Sequence, residues 1–272
     1  MPAYLKRLQK MQYDALAALL SFAEENDIRV YLRGGSVLGA VKYHGFVPWD
    51  DDIDVAIPRD DYEKLIRVMP ERLQDRYLFV AYQRTPHAHC YFPRVILDRK
   101  ACREADLPMN NERGTVLIDV LPLDGMPRTK AERVIHVIHA YILRILASLW
   151  TLEVKETVSM HRRYDRFLNF LRFLGIHRLY RQDDIYRKMD RLYTKYPFGQ
   201  TPYAGMIAAS KREKEIVPYD WWGDGKQAIF GDLRVLVPSN SDAYLRRLFG
   251  KEYMHETPPP ERRTKSHQRQ PA

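Results

Sequence analysis

Four aspartates fall within five consecutive positions of this chain, and the residues that follow them are apolar. The aspartates are Asp50, Asp51, Asp52 and Asp54, and the apolar residues are Ile53, Val55 and Ile57. Side chains of an extended segment alternate between its two faces, so Asp50, Asp52 and Asp54 share one face. Three carboxylates on one face repel each other unless a cation lies between them. Mg²⁺ or Mn²⁺ suits all-oxygen ligands, and these three residues are therefore predicted to bind metal. The alternative is a solvated acidic loop, which is our interpretation of Asp51.

A glycine corner precedes the aspartates. Gly34, Gly35 and Ser36 lie between an apolar segment and a predicted helix. Glycine lets the backbone approach a ligand closely, and a helix N-terminus presents N–H groups to anions. Ser36 is predicted to cap the helix and to donate its hydroxyl to a phosphate. An ordinary turn is the alternative interpretation.

A further carboxylate and several cations complete the candidate site. Asp119 lies between Ile118 and Val120 on another apolar segment, where an unpaired charge would be costly to bury. It is predicted to complete the metal cluster or to act as a general base, and pairing with a nearby arginine or capping a strand end are the alternatives.

The residues that flank the acidic segment and are predicted to hold donor phosphates are Lys42, His44 and Arg59, with solvated surface charge as the alternative. Trp49 and the pair Trp221–Trp222 could cage a quaternary ammonium group, although aromatic residues in such loops more often serve packing.

Hydrophobic periodicity predicts the elements that position these residues. The predicted helices are 3–26, 36–43, 59–69 and 241–250, with two or more helices in 130–195 and a break near Gly175. The predicted strands are 28–34, 52–58, 76–83, 91–98 and 114–125, followed by short strands within 228–238. This order predicts an α+β fold: a mixed sheet flanked by helices, with a helical insertion. We divide the chain into a catalytic core (1–129), a basic helical insertion (130–198), a part that completes the catalytic domain (199–260) and a flexible tail (261–272).

Composition limits the class of protein. With 272 residues, 45% of them hydrophobic, the chain can bury a large core, so disorder is not expected. Two cysteines are too few for a disulfide framework, and the N-terminus lacks the features of a signal peptide. No run of eighteen uncharged apolar residues occurs, so a spanning helix is not expected. These observations predict a cytoplasmic protein.

Positive charge is concentrated in the predicted helical insertion. Residues 130–195 contain fourteen Lys/Arg and seven Asp/Glu, a net charge of +7 against +9 for the whole chain. A basic balance indicates an anionic partner. Segment 134–152 is mostly apolar and the following segment is basic and amphipathic, as in a helix lying in a membrane surface. A helical insertion packed on the core, with a solvated basic face, is the other interpretation.

Together the glycine corner, the Asp-x-Asp strand and the third acidic residue fit the plan of a nucleotidyltransferase, which performs metal-assisted phosphoryl transfer. The sequence LRGGSVLGAVKYHGFVPWDDDIDVAIPRDDYEKL (32–65) resembles the signature of the LicD family, which includes bacterial phosphocholine transferases and, more distantly, the fukutin-related proteins. The resemblance continues in LIDVLPLDGMP (117–127) and in IFGDLRVLVPSNSDAYLRRLFGKEYMHETPPPERR (229–263). Segment 130–195 carries no diagnostic match.

The resemblance implies a nucleotidyltransferase-like fold of the DNA polymerase beta superfamily. It implies transfer of a phosphorylated alcohol, typically phosphocholine from CDP-choline, onto a hydroxyl of a cell-surface glycan or its lipid-linked precursor, as in lipopolysaccharide, teichoic acid or capsule biosynthesis. By position, Asp50, Asp52 and Asp54 match the acidic metal-binding motif, and Gly35 and Ser36 match the phosphate corner. Ser36 stands where many members have Thr, and Lys42 where Arg is common, which loses the bidentate fork.

The expected partners are thus a CDP-alcohol donor and a glycan acceptor, with peripheral contact at the inner face of the cytoplasmic membrane and no nucleic acid. Two alternatives stay open. The same fold can transfer NMP to a small molecule, RNA or protein, with the basic segment binding the acceptor. Alternatively, the chain can be a glycan-assembly scaffold with an inactive site, although an inactive site has no reason to retain clustered, mutually repulsive carboxylates.

Overall fold

The computed structural model describes residues 3–151, 162–208 and 212–255. Its first half alternates helices and strands around the predicted site. In chain order these elements are α1 (Ala3–Glu25), β1 (Tyr31–Leu32), α2 (Gly34–Leu38), β2 (Ile53–Pro58), α3 (Arg59–Val68), β3 (Arg72–Leu73), β4 (Tyr77–Val80), β5 (Arg94–Asp98), α4 (Arg99–Glu104) and β6 (Gly114–Met126). A π-helical turn, Gly39–Tyr43, continues α2.

The second half begins with helices and returns to mixed structure. Its elements are α5 (Lys130–Thr151), α6 (Arg162–Phe173), α7 (Gln182–Tyr193), β7 (Tyr203–Gly205), β8 (Val217–Pro218), α8 (Tyr219–Trp222), β9 (Lys226–Phe230), β10 (Leu233–Val237) and α9 (Ser241–Phe249). Short 3₁₀ turns occupy Ile176–Leu179 and Arg212–Glu215. The predicted break near Gly175 is confirmed, since this glycine has a φ of 73° and separates α6 from the next turn.

One mixed sheet organises the molecule. The strand order is β3-β4-β5-β6-β2-β1-β10-β9, and β7 pairs with the far end of β6 and with β8. The pairs β2–β6 and β1–β10 are parallel, and the other pairs are antiparallel. A mixed sheet with flanking helices confirms the predicted α+β class.

The helical segment leaves and re-enters the sheet at neighbouring positions. Asp124 and Met126 at the end of β6 lie opposite Gly205 and Tyr203 of β7. The chain between them forms α5, α6 and α7 and then returns to the strand beside the one it left. Strand β10 then pairs with β1 at the other side of the site. The division of the chain at 129/130, 198/199 and 260/261 stays a prediction, and the tail 261–272 lies outside the described residues.

Two apolar clusters hold these parts together. The larger one packs α1, α3 and α9 against the strands, with Leu16, Leu19, Val55 and Tyr244 among its fully buried members. The second cluster lies between the end of β6, α5 and α7. Its members include Tyr91, Met126, Ala140, Ala147, Tyr186 and Met189. The helical segment therefore shares a hydrophobic core with the sheet.

Helix α5 is the one helix in the described ranges that is long and apolar enough to cross a membrane. Residues Lys130–Trp150 have a mean hydropathy of 1.3, and 22% of that window is buried. The criterion of eighteen consecutive uncharged apolar residues is stricter, and α5 does not meet it. A core helix can have the same length and composition, so the packing of α5 distinguishes the two cases.

The predicted elements that differ from the structure are short or lie at the glycine corner. The strand predicted at 28–34 shrinks to Tyr31–Leu32, and the helix predicted from Ser36 begins at Gly34. The elements absent from the prediction, β3, α4, β7, β8 and α8, span two to six residues each. Such lengths are too short to show a helical or strand period.

Candidate active site

Four charged residues lie side by side across four neighbouring segments of the sheet. Asp54 of β2 and Asp119 of β6 are direct partners in the parallel register, and Arg94 of β5 is the antiparallel partner of Asp119. Arg33 follows β1, and its backbone N–H donates to the Asp54 carbonyl. The guanidinium groups flank the carboxylates, with Arg33 Nη1 2.7 Å from Asp54 Oδ2 and Arg94 Nε 3.0 Å from Asp119 Oδ1.

This register confirms that the strand of Asp119 lies beside the acidic strand. It also confirms the alternative interpretation of Asp119, that it pairs with an arginine, because Arg94 donates to it. The Asp119 carboxylate is 29% exposed and adjoins Asp54 as well as Arg94, and its role as metal ligand or general base stays a prediction. Asp119 is therefore at the centre of the row.

Asp50 and Asp52 precede β2, and their carboxyl groups share a hydrogen bond. Helix α1 fixes the backbone of this loop. The side-chain amide of Gln9 donates to the Asp50 carbonyl at 2.9 Å, and that of Gln12 donates to the Asp51 carbonyl at 2.7 Å. Both glutamines are buried on the face that α1 turns to the core. The sequence carried a signal for this contact with the loop, namely two glutamines on the apolar face of a predicted helix. The sequence analysis did not use that signal.

Burial raises the pKa of Asp54 to about 8. The Arg33 guanidinium acts in the opposite direction, while the charges of Asp52 and Asp119 add to the increase. A raised carboxyl pKa means that the negative charge lacks full compensation from the surrounding protein. A cation between these carboxylates would supply that compensation.

The two aspartates before the strand show the same effect. Burial, followed by the charge of Asp51, raises the pKa of Asp50 to about 6. Desolvation of its carboxyl group, followed by the charges of Asp50 and Asp51, raises the pKa of Asp52 well above the ordinary value, although the residue as a whole is exposed. Shared hydrogen bonding between two carboxyl groups requires that one of them keep a proton.

The donor set fits a divalent cation, but the carboxyl groups are not arranged around one. Within residues 3–151, 162–208 and 212–255, no three Asp, Glu, His or Cys side chains form a group that could hold a metal ion. The reason is visible in the contacts, since Asp54 turns to Arg33, Asp119 turns to Arg94, and Asp50 bonds Asp52. The oxygens are of the kind that Mg²⁺ prefers. Their assignment as metal ligands stays a prediction.

The glycine corner is shaped by these carboxylates. A Cβ on Gly35 would lie 2.6 Å from Asp50 Oδ2, so a larger residue would displace that carboxylate. Gly34 has a φ of 56°, in the left-handed region that favours glycine, and its N–H donates to the Tyr244 hydroxyl at 3.1 Å. The Gly34 amide is therefore used inside the protein, and the prediction that the corner offers its N–H groups to a ligand is wrong for this residue.

Ser36 occupies a different position from the predicted one. It lies inside α2, whose N-cap is Arg33, and no side chain caps the helix. The Ser36 hydroxyl oxygen instead accepts a hydrogen bond from the Asp54 N–H at 3.0 Å. The predicted cap is wrong because the helix begins two residues earlier, at Gly34. Ser36 ties the glycine corner to the acidic strand, and its own hydroxyl proton stays available for donation.

A buried network joins the far end of the chain to this corner. Arg33 Nη2 lies 2.8 Å from Glu215 Oε1, and the Tyr244 hydroxyl donates to Glu215 Oε2 at 3.1 Å. Glu215 is fully buried, and it lies 182 residues from Arg33 in sequence. The only sequence signal was a charged residue directly before an apolar pair, Ile216–Val217. That signal is too common to have identified Glu215 as part of the site.

The three predicted phosphate-binding cations occupy different environments. Arg59 is buried and forms a bidentate pair with Asp124, at 2.7 and 2.8 Å. This structural pairing accounts for Arg59 and removes the reason for assigning it to a donor phosphate. Lys42 Nζ lies 3.4 Å from the Tyr253 carbonyl and over the Tyr43 ring, and His44 is exposed in a left-handed conformation. The donor role of Lys42 and His44 stays a prediction.

The tryptophans that were considered for a ligand cage also lie in different environments. Trp222 is completely buried between Tyr31 and Tyr244, so it belongs to the core and cannot cage a ligand. Trp49 is half-buried and makes an edge contact with Tyr43, at 6.0 Å between ring centroids. It adjoins Asp50 in sequence, which keeps it near the acidic cluster.

A cleft of about 200 Å³ opens next to the row of charges, between β5 and the helical segment. Its wall includes Arg94, whose guanidinium also contacts Asp119. The remaining lining residues are His89, Cys90, Tyr91, Phe92, Arg144, Ala147, Ser148, Tyr186, Met189 and Ala208. The cleft thus combines guanidinium groups with aromatic walls, and Arg94 links it to the acidic cluster.

Comparison with known proteins agrees with the site. Residues 27–119 match the family model "LicD/FKTN/FKRP, nucleotidyltransferase domain". The chain is 23% identical to the lipopolysaccharide cholinephosphotransferase LicD of Haemophilus influenzae, over 98% of this chain and 97% of that protein. It is 37% identical to an uncharacterized protein of Rickettsia prowazekii over 60 residues, 22% of each chain. The matched domain runs from the end of α1 to Asp119 and includes the glycine corner and every aspartate of the cluster. Residues 27–119 are thus similar to a LicD-type nucleotidyltransferase domain, and the chain resembles a LicD protein along almost its whole length.

Proposed function

We propose that this chain is a transferase that moves a phosphorylated alcohol from a CDP-alcohol, CDP-choline in the first instance, onto a hydroxyl of a cell-surface glycan or its lipid-linked precursor. The observation that carries the proposal is the register of Asp54 with Asp119 between Arg33 and Arg94. The relative aligned over almost the whole chain is named as a cholinephosphotransferase acting on lipopolysaccharide, which supports this choice. Teichoic acid and capsule polysaccharide are further acceptors of the same chemical class.

The acidic cluster is proposed to bind Mg²⁺ or Mn²⁺ through Asp50, Asp52 and Asp54. A bound divalent cation would offset the charge of the donor diphosphate and of the leaving CMP. Arg33 donates a hydrogen bond to the Asp54 carboxylate, and the Ser36 hydroxyl oxygen accepts one from the Asp54 backbone N–H. The proposed nucleotidyltransferase-like core of the DNA polymerase beta superfamily has Asp-x-Asp on one strand and a third acidic residue on a neighbouring strand, and the pairing of Asp54 with Asp119 fits this plan.

Asp119 is proposed to serve the acceptor side. Its carboxylate is partly exposed and lies next to Arg94, which lines the cleft. A hydroxyl bound in the cleft beside Arg94 would lie near Asp119. Asp119 would then act as a further ligand or take the hydroxyl proton as general base. The attacking oxygen would displace CMP from the phosphorus on the alcohol side.

Substitution Asp54→Asn tests the assignment. It removes one negative charge at constant shape, and we expect the transfer of labelled phosphocholine from CDP-choline to fall by about a hundredfold or more. Asp60→Asn in the first turn of α3 is a matched control at an exposed position, and it should transfer at the normal rate. Thermal unfolding of both variants checks the fold. Normal transfer by Asp54→Asn would contradict the assignment of Asp54 to the metal site.

The second candidate function is the transfer of a nucleotide itself, which the description of the matched domain favours. Parallel incubations with CDP-choline labelled in the choline and with NTPs labelled in the base distinguish the two reactions. Label from the NTP on a product would show nucleotide transfer. A chain with neither reaction and no nucleotide binding in the presence of Mg²⁺ would be a scaffold. The proposed location is the cytoplasm, at the inner face of the membrane.

A further inference from the structure

The helical segment exposes more large apolar side chains than the rest of the described chain. Of the thirteen large hydrophobic residues that are exposed within the described ranges, nine lie between residues 134 and 179. Phe173 and Leu179 are exposed to 86% and 83%. We define the apolar surface by its principal residues on α5 and α6. These are Val134, Ile138, Ile142, Phe170, Phe173 and Leu174.

The apolar surface lies on the side of the helices that faces away from the core. On α5, Ala140 and Ala147 are buried, within the cluster that packs this helix against α7. At 100° per residue, Ile138 and Ile142 project from the opposite side of α5. On α6, which packs against α5, Leu168 is buried while Phe170 and Phe173 are exposed. Helix α5 therefore exposes apolar residues on its outer side from Val134 to Ile142, whereas Leu149, on the same side near the C-terminal end, is buried.

The charge beside the apolar surface has one sign from the C-terminal half of α6 onward. From Phe167 to Arg181 the chain contains Arg172, Arg178 and Arg181 and no acidic residue. Arg178 and Arg181 are exposed. Exposed Phe and Leu beside exposed Arg is the composition of a helix that lies in the plane of an anionic membrane surface. A soluble polar partner would leave the aromatic side chains in water.

The other occupants agree less well with these observations. Spanning a bilayer would require α5 to give up the packing of Ala140 and Ala147 and the hydrogen bond from Arg144 Nη1 to the Ile207 carbonyl, 3.0 Å long. A symmetric contact with a second copy would bring the Arg178 and Arg181 of both copies toward the same interface, where like charges repel. An anionic bilayer accepts both the apolar and the cationic groups.

We propose that the apolar surface of α5 and α6 docks the protein peripherally on an anionic lipid bilayer, with Arg178 and Arg181 at the level of the headgroups. The proposal depends on exposure and charge, and it holds whether or not the proposed transfer reaction is correct. It assigns the helical segment the task of holding the sheet at the membrane.

Sedimentation of the full chain with lipid vesicles tests the proposal. One set of vesicles contains phosphatidylcholine alone and the other contains ~30% phosphatidylglycerol, a content that gives an anionic surface potential. We expect the partition coefficient to be at least about tenfold higher for the anionic vesicles. The triple variant Phe170→Ser, Phe173→Ser, Leu174→Ser should lower it by about tenfold or more on these vesicles. The double variant Arg178→Gln, Arg181→Gln should lower it by a similar factor and remove its salt dependence.

A matched control removes apolar groups that are exposed elsewhere. Val68→Ser with Ile229→Ser changes two residues exposed to 43% and 47%, away from the helical segment, and should leave partitioning unchanged. Circular dichroism and thermal unfolding verify that the variants fold. Equal partitioning on both kinds of vesicle, absence of binding, or an equal loss in the control would overturn the proposal. So would binding that resists alkaline carbonate, which indicates a spanning helix, or a dimer in light scattering that the triple variant abolishes.

Discussion

The Asp54 carboxylate contacts the Arg33 guanidinium on one side and adjoins Asp119 on the other. Arg33 is itself shared, because its second nitrogen pairs with Glu215. Glu215 therefore takes part of the attraction that Arg33 would otherwise direct at Asp54. The charge of Glu215 also adds to the raised pKa of Asp54, together with burial and the nearer aspartates. Glu215 is thus a positioning residue for Asp54, although it touches no part of the cluster that faces the cleft.

Substitution Glu215→Gln should weaken cation binding while leaving the four aspartates in place. The cluster loses a nearby negative charge, and Arg33 is then held more strongly by Asp54. We expect the Kd for Mn²⁺, measured by titration calorimetry, to rise about tenfold, since Coulomb energies at this range are on the order of 1 kcal/mol. Loss of one buried charge-assisted hydrogen bond should also lower the free energy of unfolding by about 1–3 kcal/mol.

Glu213→Gln is the matched control, because it makes the same change two residues away on the exposed side of the same 3₁₀ turn. It should leave both quantities unchanged. An unaltered Mn²⁺ affinity in Glu215→Gln, measured where the variant is fully folded, would show that Glu215 only stabilises the fold.

At the scale of elements, α1, β2, α3, β6 and α9 could be predicted because each repeats an apolar period over six or more residues. The apolar neighbours of Asp54 and Asp119 predicted that each lies on a strand, whereas their placement on neighbouring strands was expected only from the fit to the nucleotidyltransferase plan. The start of α2 could not be predicted. It depends on the positive φ of Gly34 and on the Tyr244 hydroxyl that binds its amide, and both are properties of the folded chain.

Substitution Gly35→Ala should impair the site more than the fold. The added Cβ would lie 2.6 Å from Asp50 Oδ2, so this carboxylate has to move. The backbone of Gly35 is helical, and alanine there should leave the free energy of unfolding unchanged or raise it by up to ~1 kcal/mol. We expect the rate of phosphocholine transfer to fall by about tenfold to a hundredfold, because small displacements at a reacting centre are costly.

Gly175→Ala, at a distance from the site, should impair the fold more than the site. Its φ of 73° disfavours alanine, while no heavy atom lies within 4 Å of the new Cβ. The variant should lose about 1–2 kcal/mol of stability from backbone strain and transfer at the normal rate. Equal rates in both glycine variants would contradict the role given to Asp50.

At the scale of the whole molecule, the site is completed by parts of the chain that are far apart in sequence. Strand β10 pairs with β1, Glu215 pairs with Arg33, and Tyr244 bonds Gly34. The sequence showed a helical segment between two parts of the core, but it could not show that β7 returns beside β6 or that the helices share a core with the sheet. Those contacts join residues about 80 to 210 positions apart, and no local period carries them.

Substitution of Asp190 tests how firmly the helical segment is held to the sheet. From α7 it accepts hydrogen bonds from the Tyr82 and Tyr91 hydroxyls, the second at 2.6 Å, and it lies 3.5 Å from Arg59 Nη1. Substitution Asp190→Asn removes the charge that all three partners face, so we expect the free energy of unfolding in urea to fall by about 2 kcal/mol. Asp183→Asn, in the exposed first turn of the same helix, should change it by less than about 0.5 kcal/mol. If the two variants unfold at the same urea concentration, the helical segment is held by its apolar packing alone. A loss confined to Asp190→Asn would show that this polar cluster also holds α7 against the sheet.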